Sequence, residues 1–265
     1  MLRTRTLSAL VLLALVSVLL WLGGAPWLVA IILVALLATQ EFFSALRQIN
    51  RQPVIAAGFL TAVALPAAAY GDRTLALMLP IIVAAVMFSL LLVLLRQNPD
   101  GALADWALSL AGSLYIALLL SYFVALREYD QGLHWILLAF LCTWACDSFA
   151  YLIGRAIGRR RFAPRISPHK TWEGTIAGTI AATAVGLLAV PLLGLQPVTG
   201  LLLGAAVALL AITGDLAESL LKRQLDIKDF GTLIPGHGGI LDRIDSLLFA
   251  VPFIYYVAVA WSTLH

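Results

Sequence analysis

Residues 198–245 read VTGLLLGAAVALLAITGDLAESLLKRQLDIKDFGTLIPGHGGILDRID. The first half is apolar for long enough to cross a bilayer, whose ~30 Å hydrocarbon core takes about 20 residues of helix. The second half, from Asp215 to Asp245, is denser in reactive groups than any other part of the chain. Aspartates stand at both its ends, Lys222-Arg223 and Lys228-Asp229 lie within it, and a Gly-His-Gly-Gly turn precedes the last pair of aspartates. A membrane span that runs directly into such a segment makes the rest of the chain a frame for it.

Composition agrees. The 265 residues are 62% hydrophobic and 12% charged, against roughly 45–50% and ~25% for soluble globular chains. These values exclude an ordinary soluble enzyme and leave no length for a separate soluble domain. No nucleic-acid partner is expected. Cys142 and Cys146 stand four apart in one apolar run, which stacks them on one helix face as small packing residues rather than a disulfide or metal pair.

Outward from 198–221, apolar runs predict an all-α, polytopic membrane protein of about nine spans: 7–22, 27–43, 53–70, 75–95, 103–126, 133–157, 172–193, 198–221 and 241–261. The first follows Arg3 and Arg5. It reads as a retained helix, because it is long for the apolar core of a signal peptide and Gly23-Gly24-Ala25-Pro26 is a poor cleavage site. Short breaks at Gly71-Asp72-Arg73, Asn98-Pro99-Asp100-Gly101 and Gly194-Leu195-Gln196-Pro197 punctuate the runs.

With a cytoplasmic N-terminus, 15 of the 17 lysines and arginines fall on the cytoplasmic side, leaving only Arg73 and Arg127 outside. That partition obeys the positive-inside rule. It brings out the two chemically rich loops, 155–171 and 222–240, on the same face. The first hundred residues place few ionisable groups inside spans, so 1–100 reads as anchoring helices and 101–265 as the catalytic region of one integral membrane unit.

Ionisable groups inside spans cost ~2.5–3.5 kcal/mol each on insertion scales and are therefore paired, solvated or functional. Glu41, Asp147, Glu173, Asp215, Glu218, Asp242 and Asp245 all fall in or at the ends of spans, toward the cytoplasmic side, which suggests a shared polar cavity. Glu41 alone reads best as a helix cap or a group at headgroup depth. Asp215, Glu218, Ser219 and Lys222 share one helix face by their i, i+3, i+4, i+7 spacing. Asp242, Asp245 and Ser246 repeat the arrangement at a helix start. Two carboxylate faces suit a hard cation such as Mg²⁺, although Asp242 and Asp245 also suit N-terminal capping.

The turn Pro235-Gly236-His237-Gly238-Gly239 offers backbone N–H groups and a helix start to a phosphate. Lys222, Arg223, Lys228 and Arg243 flank it and can neutralise a polyphosphate. Upstream, Asp147-Ser-Phe-Ala-Tyr and Ser167-Pro-His-Lys170-Thr171-Trp-Glu173-Gly174 form a companion segment. The arginines 159–161 within it read as a patch for anionic lipid headgroups.

Ser219-Leu-Leu-Lys222-Arg223, then Lys228-Asp229-Phe-Gly231, then Ile234-Pro-Gly-His237-Gly238-Gly239-Ile-Leu-Asp242-Arg243-Ile-Asp245 resembles the signature of the phosphatidate cytidylyltransferases, the CDP-diacylglycerol synthases, with no departure. The two upstream motifs resemble that family as well. The resemblance implies a bacterial inner-membrane enzyme, a homodimer with its active site facing the cytoplasm, dependent on Mg²⁺ and on a second, monovalent cation (K⁺). It implies that CTP and phosphatidate give CDP-diacylglycerol and pyrophosphate.

On that basis Asp215 and Asp242 are expected to hold Mg²⁺, with Asp147 as an outer or second-cation ligand. Asp245 is expected either beside Asp147 in that role or with Lys170, Lys222 and Arg223 as the groups acting on the reacting phosphates. Ser167, Thr171, Glu173, Ser219, Lys228, His237, Gly238, Gly239 and Arg243 are expected to bind substrate. A phosphatidate phosphate is already a nucleophile, so positioning and charge neutralisation carry the catalysis. The alternatives are a polyprenol kinase-like transferase and a secondary transporter. The gathering of acids at one membrane level disfavours the transporter.

Overall fold

The computed structural model describes residues 2–71, 75–234 and 238–264, with side chains from 10 to 263. Asp72, Arg73, Pro235, Gly236 and His237 lie outside the described residues. Helix dominates, and the chain forms two compact units, residues 1–129 with 225–243, and residues 130–224 with 244–265.

The first unit holds α1 (Leu2–Leu22), α2 (Gly24–Gln48), α3 (Ile55–Ala69), α4 (Met78–Leu94), α5 (Ala102–Ser113), a π-helical turn (Leu114–Leu118) and α6 (Leu119–Glu128). The last three form one continuous apolar rod, Ala102–Glu128, widened by the π turn at its middle. Nothing in the hydropathy pattern marks that widening. Phe42 and Phe43 of α2 lodge where Gly112 of α5 and Gly58 of α3 carry no side chain. Trp27 donates its indole N–H to the Phe123 carbonyl at 2.9 Å, and Arg127 donates to the Leu20 and Trp21 carbonyls at the end of α1, satisfying acceptors that a helix C-terminus leaves open. Within α4 only Met78 and Ser89 are buried, as suits a helix that turns most of its surface to lipid.

The second unit holds α7 (Gly132–Ile157), a hairpin of β1 (Arg161–Ala163) and β2 (Ser167–Thr171), α8 (Trp172–Leu188), the short α9 (Val190–Leu193), α10 (Pro197–Gln224) and most of α11 (Leu241–Leu264). Its helices meet through small residues, which let backbones approach without a hydrophobic driving force in lipid. A Cβ on Gly178 of α8 would stand 2.5 Å from the Cys146 carbonyl of α7, and one on Gly186 would stand 2.8 Å from the Gly204 nitrogen of α10. Thr175, Thr179 and Thr183 each donate to the carbonyl four residues earlier, so their hydroxyls need no water. Cys142 and Cys146 are free, buried and part of this packing, as expected.

Among the described residues, five helices are long and apolar enough to cross a membrane: Gly24–Gln48, Ala102–Glu128, Gly132–Ile157, Pro197–Gln224 and Leu241–Thr263; Leu10–Leu22, Ile55–Ala69 and Met78–Leu94 are shorter apolar helices. The expected seventh span is interrupted after Leu188, where Ala189 separates α8 from α9. Pro191 has no N–H to continue the ladder.

The basic loop expected at 155–171 is also more ordered than the sequence suggested. It pairs antiparallel, Arg161 opposite Thr171 and Ala163 opposite Ser167. Phe162 sets its ring edge-on to Trp172 at 4.6 Å. Alternation over three residues is too short a signal to announce a strand. The all-α expectation therefore stands with this one small hairpin added.

Candidate functional site

The second unit assembles the larger share of the expected groups. Thr171 ends β2 and caps α8, its buried hydroxyl accepting the Gly174 N–H at 3.2 Å. Glu173, in the first turn of α8, accepts the backbone N–H groups of Arg159 (3.1 Å) and Arg160 (3.3 Å). These two residues, expected to bind substrate, thus hold the hairpin to the helix. The hairpin in turn presents Lys170, whose Nζ lies 2.5 Å from Asp215 Oδ2 on α10.

The other Asp215 oxygen accepts the Ser219 hydroxyl at 3.3 Å, one helical turn on. A further pair follows on the same helix, Lys222 Nζ to Glu218 Oε1 at 3.4 Å, with Glu218 wholly buried. Asp245 of α11, its Oδ1 accepting the Ser246 N–H at 2.8 Å, interacts with Glu218, Asp215 and Lys222. Arg223 donates to the Ile166 carbonyl, tying α10 back to the hairpin. The helix face read from spacing is therefore a real cluster of three carboxylates, two lysines and a serine. The companion segment contributes Lys170 to it. Asp147 stands exposed on α7, next to Cys146, which is within electrostatic reach of Lys170 and Asp215. Ser167 is half-buried on β2.

In the first unit, the segment after α10 brings Ile234 and Gly238 together. The Ile234 N–H donates to the Gly238 carbonyl at 2.9 Å, and Gly238 takes φ +87°, a conformation that glycine alone adopts without strain. Asp242 is buried, and its Oδ2 accepts the N–H groups of Gly239 (2.8 Å) and Phe230 (3.0 Å). Glu41, from the far end of α2, accepts the next two: Ile240 to Oε1 and Leu241 to Oε2, each at 3.0 Å.

The N–H groups of Gly239, Ile240 and Leu241, which the sequence offered to a phosphate, thus donate to protein carboxylates. Lys228 and Arg243 are exposed. His237, expected beside them, lies outside the described residues. Glu41, expected as a helix cap or a group at headgroup depth, does cap a helix start, that of α11. Its signal was present as an acid within an apolar span, but its partners are 199 and 200 positions away.

The donor type at Asp215, Asp242 and Asp147, carboxylate oxygen, is the one a hard cation takes. Asp215, Glu218 and Asp245 offer only carboxylate oxygens, and the Lys170 ammonium against Asp215 shows that this locus takes positive charge. Among the described residues, however, no three His, Cys, Asp or Glu side chains are arranged to hold a metal ion. As it stands, Asp215 is committed to Lys170 and Asp242 to two backbone donors.

Long apolar helices carrying a partly buried carboxylate cluster, with cations beside it, define a helical membrane protein that holds a polar site. The chain belongs to the Cytidylyltransferase family, which it matches over residues 3–261, and is an enzyme of this kind. It is similar to a protein named phosphatidate cytidylyltransferase from Synechocystis, 36% identical over 96% of both chains. A protein of the same name from Staphylococcus haemolyticus is 34% identical over 95% of this chain and 97% of its own. Another from Haemophilus influenzae is 46% identical over 48% of this chain and 46% of its own. The family resemblance carried by the signature motifs is borne out along nearly the whole chain.

Proposed function

We propose that this chain transfers the cytidylyl group of CTP to phosphatidate, giving CDP-diacylglycerol and pyrophosphate for phospholipid synthesis. A phosphatidate phosphate oxygen attacks the α-phosphorus of CTP in line with the bond to the β-phosphate. That bond breaks and pyrophosphate leaves with its electron pair. The observation that carries this reading is the cluster of Lys170, Asp215, Glu218, Ser219, Lys222 and Asp245, in a chain that matches relatives named phosphatidate cytidylyltransferase over 95–96% of its length.

Both reactants are anions and no proton has to be abstracted from the nucleophile, so the task is to bring negative charges together and to accept more on the leaving group. Lys170, Lys222 and Arg223 supply positive charge to the phosphates, while Asp245 balances the charge of Lys222 and would help hold a second cation when one is bound. Ser167 and Arg243 receive the lipid phosphate or the leaving group. Lys228 and the turn His237–Gly239 lie along the triphosphate, Ser219 orients Asp215, and Thr171 and Glu173 keep the lysine-bearing hairpin in register.

Asp215 and Asp242 are the magnesium ligands in this reading, with Asp147 as an outer or second-cation ligand and K⁺ as the second cation. The metal, when bound, aligns and neutralises the CTP phosphates. The protein works as a homodimer in the bacterial cytoplasmic membrane, with nine spans, the N-terminus and active site on the cytoplasmic face, and residues 1–100 serving mainly as anchor.

The test is incorporation of label from CTP, carried on the α-phosphorus in one assay and on the γ-phosphorus in a second, into lipid by the detergent-purified protein given phosphatidate and, separately, a polyprenol. A labelled liponucleotide is expected with Mg²⁺, falling to background when the ion is chelated. Label appearing instead in a polyprenyl phosphate, or no transfer at all, overturns the reading. Full activity under chelation overturns the magnesium assignment alone.

A further inference from the structure

Glu41 belongs to no motif, yet it holds the functional loop of its unit in place. Its two carboxylate oxygens take the N–H groups of Ile240 and Leu241 at 3.0 Å each, donors that open α11 and have no partner within that helix. A negative charge at this end of a helix is favourable.

Two glycines record the same fit. A Cβ on Gly239 would stand 2.5 Å from Glu41 Oε2 and 2.7 Å from its carboxyl carbon, and one on Gly231 would strike the same carboxylate. The adjoining Phe42 stacks on Phe230, ring centroids 5.8 Å apart, and Phe230 passes its N–H to Asp242. Side chain, glycines and aromatic pair all fix the loop that carries Lys228, Gly238, Gly239 and Asp242 against one point on α2.

We infer that Glu41 is a positioning residue for the nucleotide, acting through this loop and touching no substrate itself. The inference rests on the proposed cytidylyl transfer, in which the loop faces CTP. It also assigns the N–H groups of Ile240 and Leu241 to structure, so that phosphate charge falls to side-chain cations. The consequence is selective. Releasing the loop, with Lys228 on it, weakens CTP, whereas Ser167 stands on the hairpin and not on the loop, so phosphatidate is less affected.

Glu41→Gln preserves size but offers one acceptor where the carboxylate offers two; Glu41→Ala removes both. In the full-length protein, KM for CTP is expected to rise roughly tenfold in the alanine variant, the scale of losing hydrogen bonds to a charged group. The glutamine variant should rise by less, and KM for phosphatidate should stay within about twofold in both.

Hydrogen exchange gives a readout that needs no turnover. The amides of residues 239–241 are expected to exchange faster in Glu41→Ala, while peptides from residues 130–224 do not change. Unchanged exchange at 239–241, or an unchanged KM for CTP, overturns the inference. So does an equal rise in both KM values, which would mark a general loosening. A wild-type protein that transfers nothing from CTP instead sinks the proposed reaction, and the exchange result then decides alone whether Glu41 holds the loop.

Discussion

Lys170 and Lys222 each pair with a carboxylate on α10, but their surroundings give them different worth. The Lys170–Asp215 pair is partly open, 23% and 30% exposed, and pairs of that kind add about 1 kcal/mol or less to stability. Glu218 is sealed, so taking away Lys222 strips a buried carboxylate of its ion-pair partner, a change of about 3–5 kcal/mol. Lys170→Ala should therefore leave the melting temperature in detergent nearly unchanged while lowering kcat by roughly 10²–10³, the usual loss for one preorganised charge-stabilising group. Asp215→Asn should insert normally and abolish turnover, and near-normal CTP-dependent activity would remove Asp215 from the metal site. Lys222→Ala is a poor catalytic probe, because it should fail first by unfolding. The sequence displayed these residues well, since i, i+3, i+4 spacing is geometry. It displayed Glu41 as an acid inside a span but not its partners, since the hydrogen bonds join α2 to a loop almost two hundred residues on.

At the scale of elements, hydropathy located the helical stretches and missed what interrupts them. The π turn at Leu114–Leu118 and the break at Ala189 leave the apolar pattern intact, so a reading based on hydrophobic runs passes over them. The hairpin at 161–171 was hidden for another reason. Its short strands are held by Glu173, Phe162 and Trp172 rather than by strand propensity. Small residues, by contrast, mark helix contacts directly once the structure is known. Gly178 lies against Cys146 and Ala150, with a Cβ there 3.1 Å from both the Cys146 sulfur and the Ala150 Cβ. Gly178→Leu should force α7 and α8 apart and cost about 1–3 kcal/mol, as overpacking does. Ile180, two residues on and 64% exposed, should tolerate alanine. Thermal unfolding in one detergent compares the two, and equal melting temperatures would show that this helix contact is looser than its geometry implies.

For the whole molecule, the decisive quantity is which ends of the helices face the cytoplasm. The charge partition carries that expectation, because an arginine or lysine left on the wrong side opposes the orientation that insertion prefers. α7 makes the test compact: Asp130 precedes it, Arg160 follows it, and both are exposed. The two native cysteines are buried and unpaired, so their background reaction with an impermeant maleimide should be small. With the N-terminus inside and five spans before residue 130, Asp130→Cys should label on intact spheroplasts. Arg160→Cys should label only after the membrane is opened. The reverse pattern would invert the molecule and move the basic hairpin, with Lys170 at its end, to the outer face, where the nucleotide is absent. Labelling of both positions from outside would instead mean that α7 does not cross the membrane. Either result would separate Lys170 and Asp215 from a cytoplasmic supply of CTP, so this one experiment tests an odd number of spans before residue 130 and the direction of the active site together.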